Sequence, residues 1–414
     1  MSAALAAPPL SAREQTTVFV VAIGHGVAHW MHGVVFILLP VVREEFGLDY
    51  TDIGVFGLVY YSAATAVNLL GGPVTDMVRR RERFQILSLV LLSLSLLAIG
   101  LSSSFALFCA ASALVAIGNS LWHPAAIPYL ASRFERRRGY VLSIHSMFSN
   151  LGDSIAPAVV GAMITGWFVV QIDWRQAAML NVFPALLVLP LLWVFVLRDD
   201  PDVTQAQSSA RMDLAGYWCG LLEQLKSKTV LGLALMAGLR STAQGGIRVF
   251  LPLYVTDVLG LPLAVAGFAL TALAIGGAIT AVPAGMASDR FGRRPVVMIF
   301  LLLSSVLIVG VTLLTDEVSF VVGICLVGLS LYALRPVMLS WMMDVVPREL
   351  RGTGTNLMFT TQSLFQIANP LIAGALADAF GLVVVFYYFA AMLLLANLVA
   401  FLIPRADRQV SAPA

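Results

Sequence analysis

The chain holds five histidines, and all lie within its first 150 residues: His25, His29, His32, His123 and His145. The intervals of four and three between His25, His29 and His32 place three imidazoles on one stripe of a helix. Imidazole takes up and passes on protons near neutral pH and ligates transition metals, so both chemistries are open to such a stripe. One carboxylate, Asp153, stands in the apolar stretch after His145, with Asn150 one turn before it. The second half answers with cations and amides. Arg240, Gln244 and Arg248 follow at four-residue intervals, then Arg335, then Gln362, Gln366 and Asn369. Each of these groups is embedded in apolar sequence, where an ionisable side chain is costly enough to be a functional candidate. Three arginines and up to five protonatable histidines against one aspartate give an interior of positive potential. Arginine can hold a carboxylate or phosphonate through two parallel hydrogen bonds, so the expected solute is a small organic anion. Trp122, beside His123, and other aromatics on the same stretches could pack its organic part.

The elements that carry these residues follow from composition. Of 414 residues, 59% are hydrophobic and 12% charged, where a soluble protein has about a quarter charged. Mean hydropathy is +0.89. A soluble protein is excluded, and the lipid bilayer is the expected surrounding. A net charge of +2 gives no reason to expect a nucleic-acid partner. Three cysteines, two of them inside apolar runs, suggest no disulfide framework. The first fifteen residues lack a basic segment followed by a short apolar core, so no cleaved signal peptide is expected. Runs of roughly 20 apolar residues fall near 16–41, 52–75, 84–104, 106–131, 139–166 and 174–197, then near 229–255, 263–288, 295–315, 319–344, 354–379 and 383–404. Such runs must be helices, because lipid offers no partner to an open backbone amide and they are too long for barrel strands.

The fold class expected is therefore an all-α membrane protein of twelve transmembrane helices. Landmarks recur 213 residues apart: Gly54 with Gly267, Gly72 with Gly285, Asp76 with Asp289, Pro157 with Pro370, Gly161 with Gly374. A repeat of this kind implies two pseudo-symmetric six-helix bundles, residues 1–197 and 229–414, the second ending in a cytoplasmic tail. Residues 198–228 join them as a cytoplasmic linker, in which Leu214, Trp218, Leu221, Leu222 and Leu225 form a short amphipathic helix. Twenty Lys and Arg fall in alternate connections and the two termini, against Arg43 and Arg175 on the other side. By the positive-inside rule both termini are cytoplasmic, in a multi-pass protein of a bacterial inner membrane.

Between spans 8 and 9 stands Gly285-Met-Ala-Ser-Asp289-Arg290-Phe291-Gly292-Arg293-Arg294-Pro295, and between spans 2 and 3 Gly72-Pro-Val-Thr-Asp76 followed by Arg79, Arg80 and Arg81. A small residue lets helices approach, an aspartate can sit against a helix N-terminus, and arginines anchor the turn at headgroups. The pair resembles the signature loops of the major facilitator superfamily of secondary transporters. In the N-half copy Met77 replaces a basic residue and Arg79 a glycine. Gly24-His25-Gly26-Val27-Ala28-His29, Trp122-His123-Pro124 and the stretch from Ser143 to Gly152 look like the bacterial fosmidomycin-resistance group, whose members export drugs or metabolites. Span 5 has Ala156-Pro157 where the antiporter motif has Gly-Pro.

The resemblance implies a central cavity opened alternately to either side as the bundles rock. It also implies gating by Gly72, Asp76, Gly285, Asp289, Arg290 and Arg293, with Asp76 against the start of span 11 near Gly352. On this reading His25, His29, His123, Trp122, Arg240, Gln244, Arg335, Gln362 and Gln366 bind the solute, and Asp153, His145 and His25 carry protons. The protein works as a monomer on a small molecule and protons, without cofactor. It is not an enzyme: a histidine-box oxygenase needs more histidines near one membrane face. An alternative takes His25, His29 and His32 as ligands of a transported divalent metal. The plainer readings are that a histidine hydrogen-bonds a neighbouring carbonyl, and that Arg248, close to Pro252, reaches outer headgroups.

Overall fold

The computed structural model describes residues 10–77, 82–167, 170–197, 224–346 and 350–404, without the side chains of residues 71–77, 351 and 352. All regular structure among them is helical. Eleven helices are long and apolar enough to cross a membrane. The twelfth position is filled by Lys228–Leu253, which carries Lys228, Arg240 and Arg248 and continues as a wider turn over Tyr254–Val258. Span 1 is Ala12–Ile37, extended by Leu39–Phe46; span 2 is Tyr50–Met77, span 3 Arg83–Gly100, span 4 Phe105–Arg133 and span 5 Arg138–Thr165. Span 6 runs in pieces from Trp174 to Leu197. After span 7 come span 8 (Leu263–Phe291), span 9 (Arg293–Val311), span 10 (Glu317–Leu331 and Leu334–Val345), span 11 (Arg351–Phe380) and span 12 (Leu382–Leu402).

Local chemistry sets the ends. Ser11 and Glu14 form a reciprocal capping box on span 1, and Ser104, Ser227 and Asp316 cap spans 4, 7 and 10. Span 5 ends at Gly166 in the left-handed region. The linker helix expected around Leu214 to Leu222 lies outside the described residues.

Span 1 packs on span 5, span 2 on span 4, span 3 on span 4; in the second half span 7 packs on spans 11 and 12, span 8 on span 10, span 9 on span 12. Two seams join the halves, span 5 with span 8 and span 2 with span 11. The seams are related by the sequence repeat. A Cβ added at Gly54 would meet the Pro370 carbonyl oxygen at 2.5 Å, and one at Gly267 the Pro157 carbonyl oxygen at 2.3 Å. The repeated pairs Gly54 with Gly267, Pro157 with Pro370 and Gly161 with Gly374 are thus where its halves touch.

One end of the seams carries a polar closure. Asp378, near the end of span 11, accepts from the Tyr50 and Thr51 amides at 2.9 and 2.7 Å and from the Thr51 hydroxyl at 2.6 Å. Arg43 pairs with Asp257 at 3.0 Å and lies over the Tyr50 ring, whose hydroxyl also donates to Asp257. This is the end opposite the Arg-rich turns.

Candidate transport site

Close contact of spans 1 and 5 brings the histidines together. A Cβ added at Gly152 would stand 2.1 Å from the Gly26 carbonyl oxygen, so only glycine lets the backbones approach here. At that distance His25 Nδ1 reaches the His145 carbonyl at 2.9 Å, and the two rings stack with centroids 3.8 Å apart. His25 Nε2 meets His123 Nε2 at 3.3 Å, and His29 Nδ1 meets Asp153 at 3.0 Å. Trp122 Nε1 donates to His145 Nε2 at 3.1 Å. His32 hydrogen-bonds the Tyr60 hydroxyl, and its Nε2 accepts from Arg248 Nη1 at 3.0 Å. Ring contacts of His29 with His25 and His32 join these pairs, so all five histidines form one cluster on spans 1, 4 and 5, with Tyr60 of span 2 and Arg248 of span 7 at the His32 end.

Beside this network a cavity of about 820 Å³ lies between the halves, with His32, Asn150, Asp153, Arg248, Tyr332 and Arg335 among its polar lining. Arg248 is buried in the network and hydrogen-bonds Tyr332. Arg335 is exposed to the cavity, its guanidinium 5.9 Å from the Phe359 ring. It has no carboxylate partner among the described residues. Two arginines and one aspartate leave the cavity cationic.

Arg248 thus corrects the expectation that it reaches outer headgroups. Arg240 is corrected the other way. It is 2% exposed, donates to the Leu331 carbonyl at 3.2 Å and to Gln244 Oε1 at 2.5 Å, and does not line the cavity. Span 10 breaks at residues 332–333, which leaves carbonyls without helical donors, and Arg240 supplies one. Trp122 is fully buried under Gly24; it packs the histidine layer and stays out of the cavity. Gln362 and Gln366 are half-buried and lie off the cavity lining. Tyr332, one of the aromatics expected to pack the organic part, lines it together with Thr271, for which a polar residue on an apolar helix was the only sequence signal.

Among the gating residues, Arg293 pairs with Asp289, donates to Asp344 at 2.9 Å and to the Ser288 hydroxyl at 2.6 Å. The loop is therefore fastened to the end of span 10. Arg290 lies over the Phe291 ring. A Cβ added at Gly285 would meet nothing within 4 Å, so close approach of helices is not what that glycine serves. The side chains of Gly72 and Asp76, and the contact expected near Gly352, lie outside the described residues. As for metal ligation, a ring nitrogen from each of His25, His29 and His123 lies within 4.8 Å of the others. His32, third on the stripe, is taken up by Tyr60 and Arg248.

A family model described as Major Facilitator Superfamily matches residues 21–262 and 233–414. The chain belongs to the major facilitator superfamily. Its superfamily relatives include the uncharacterized transporter YfnC of Bacillus subtilis, 24% identical with 94% of each chain covered. The sialic acid transporter NanX of Escherichia coli is 21% identical over 89% of each chain. The fosmidomycin resistance protein of the same organism is 23% identical over 67% of this chain and 66% of its own. In fold, the chain resembles a bacterial homologue of the human lysosomal transporter Spinster in an inward-facing conformation, with TM-score 0.79, 16% identity, and 95% and 98% of the two chains covered. Family and fold neighbours are transporters, not enzymes. The protein is a multi-pass superfamily transporter of small solutes.

Proposed function

We propose that the solute is a small organic anion, bound between Arg248 and Arg335 and exported in exchange for protons. The observation that carries the reading is Arg335, a guanidinium open to a cavity between the halves and without an acid partner. An exposed guanidinium without an acid partner is free to take a carboxylate or phosphonate through two parallel hydrogen bonds. The resemblance to a sialic acid transporter supports an acidic solute, and that to a fosmidomycin resistance protein supports export. Nothing in the chain resembles a nucleotide-phosphate loop, so ATP is not the energy source. Both termini and the Arg-rich turns face the cytoplasm of a bacterial inner membrane, which makes the Asp378 end the outer one.

Purified protein in proteoliposomes provides the test. Acidic metabolites are screened by counterflow, then driven by an imposed pH gradient. Saturable exchange of an acid is expected, with an affinity about 10- to 100-fold weaker in Arg335→Gln. Preference for neutral or cationic solutes, or exchange indifferent to Arg335→Gln, would reject the anion site. Exchange that persists but ignores the pH gradient would reject proton coupling alone.

A further inference from the structure

The anion site does not use His25, His29 and His123, which meet behind Asp153. Their ring centroids lie 4.7, 5.0 and 5.7 Å apart. The hydrogen bonds around them fix which nitrogens carry protons. His25 Nδ1 faces a backbone carbonyl, which can only accept, so Nδ1 is N–H and Nε2 in the neutral ring presents a lone pair. His29 Nδ1 faces the Asp153 carboxylate, and its Nε2 is buried without any hydrogen-bond partner. His25 Nε2 points at His123 Nε2, and His123 also bonds the Asn119 backbone. A neutral His123 has one proton for these two contacts. Even if that proton goes to His25, the His29 nitrogen stays bare. A shared proton bridges two nitrogens, whereas a metal ion satisfies three.

We infer that His25, His29 and His123 bind a divalent transition-metal ion of the zinc or cobalt kind. Nitrogen ligands about 2.0–2.1 Å from a tetrahedral metal stand roughly 3.3–3.4 Å from each other. The His25–His123 separation is 3.3 Å. A ring nitrogen of His29 lies within 4.8 Å of one on each of the other two, so His29 has on the order of 1 Å to close. A carbonyl on His25 and a carboxylate on His29 are the outer acceptors that orient metal-bound imidazoles and raise their basicity. Asp153 also supplies negative charge next to the ion, against the nearby Arg335. The ion is a resident of the N-terminal half, held by a different third ligand from the stripe of His25, His29 and His32.

The test uses full-length protein in detergent, purified by a tag without histidine and stripped with a chelator. It is titrated with Co²⁺ alone, read by the visible absorption of tetrahedral cobalt and by competition with a chromophoric chelator. One Co²⁺ per chain is expected. His29→Asn and His123→Asn weaken binding by about 100-fold or more, Asp153→Asn by about 10–100-fold, and His32→Ala leaves it unchanged. Thermal unfolding of each stripped variant is compared with stripped wild type; for a variant that melts early, the comparison passes to His25→Gln. Absence of saturable Co²⁺ binding in the wild type would overturn the inference. So would undiminished binding in the His29 and His123 variants, or loss of binding in His32→Ala.

Discussion

Arg240 and Arg248 stand eight residues apart on span 7 and do different work. Eight residues are 2.2 turns, which leaves the two side chains about 80° apart around the axis. Arg240 faces the break in span 10; Arg248 faces the cavity. A hydrogen bond from a charged donor to a buried carbonyl contributes about 1.5–3 kcal/mol. Arg240→Gln should therefore lower stability by about 2 kcal/mol, seen as a reduced midpoint in thermal unfolding, while solute affinity changes little. Arg335→Gln should do the reverse: affinity falls about 10- to 100-fold in counterflow, on the same scale of 1.5–3 kcal/mol, with unfolding unmoved. The sequence made the arginines legible as a group because charge in apolar helices is rare. It did not say which faced inward, because a four-residue spacing treats Arg240 and Arg248 as one stripe; Pro336, which lacks the amide that would bond the Tyr332 carbonyl, announces the break in span 10 but not which arginine faces it. The same limit applied to His32, which spacing joins to His25 and His29 but which Tyr60 and Arg248 claim in space.

At the scale of the helices, the repeat was the most informative signal. Gly161 and Gly374, matched in sequence, both sit on seams: an added Cβ would meet the Leu263 oxygen at 2.8 Å in one case and the Tyr50 oxygen at 2.2 Å in the other. Glycine at such places is demanded by the distance between two backbones, which is why the spacing survives as a pattern. Gly285 shows the opposite, a repeated glycine with open space around it. Gly374→Ala should push spans 2 and 11 apart at the Asp378 end. A single cysteine replacing Thr51, in a cysteine-free background, should then react faster with a water-soluble maleimide than in the Gly374 parent. Gly152→Ala should instead disturb the fit of spans 1 and 5 and spread the histidines. Its expected readout is lower thermal stability, by about 1–3 kcal/mol as for an overpacked contact.

For the whole molecule, the question is how firmly the Asp378 end is shut. Arg43 and Asp257 are 27% and 22% exposed, and an ion pair within reach of water contributes on the order of 1 kcal/mol or less. Asp378 makes three hydrogen bonds, two of them to amides at the start of span 2. A charged acceptor at a helix N-terminus is worth more than the surface pair. Asp378→Ala should shift the balance toward opening at this end by about tenfold, equivalent to 1.4 kcal/mol. Distances between spin labels at the ends of spans 2 and 11 would measure it; an unchanged distribution would show that packing alone holds the end.

Asp378 has no equal across the pseudo-twofold axis. The repeat puts Thr165 in its place, and the Thr165 hydroxyl turns back to the Gly161 carbonyl of its own helix. Among the described residues only the span 2–span 11 seam has a charged latch; the span 5–span 8 seam has a single neutral hydrogen bond, from the Thr271 hydroxyl to the Ser154 carbonyl. The mouth should then peel rather than dilate, starting along spans 5 and 8 and pivoting on the latched side, so that a departing solute leaves past a single moving lip.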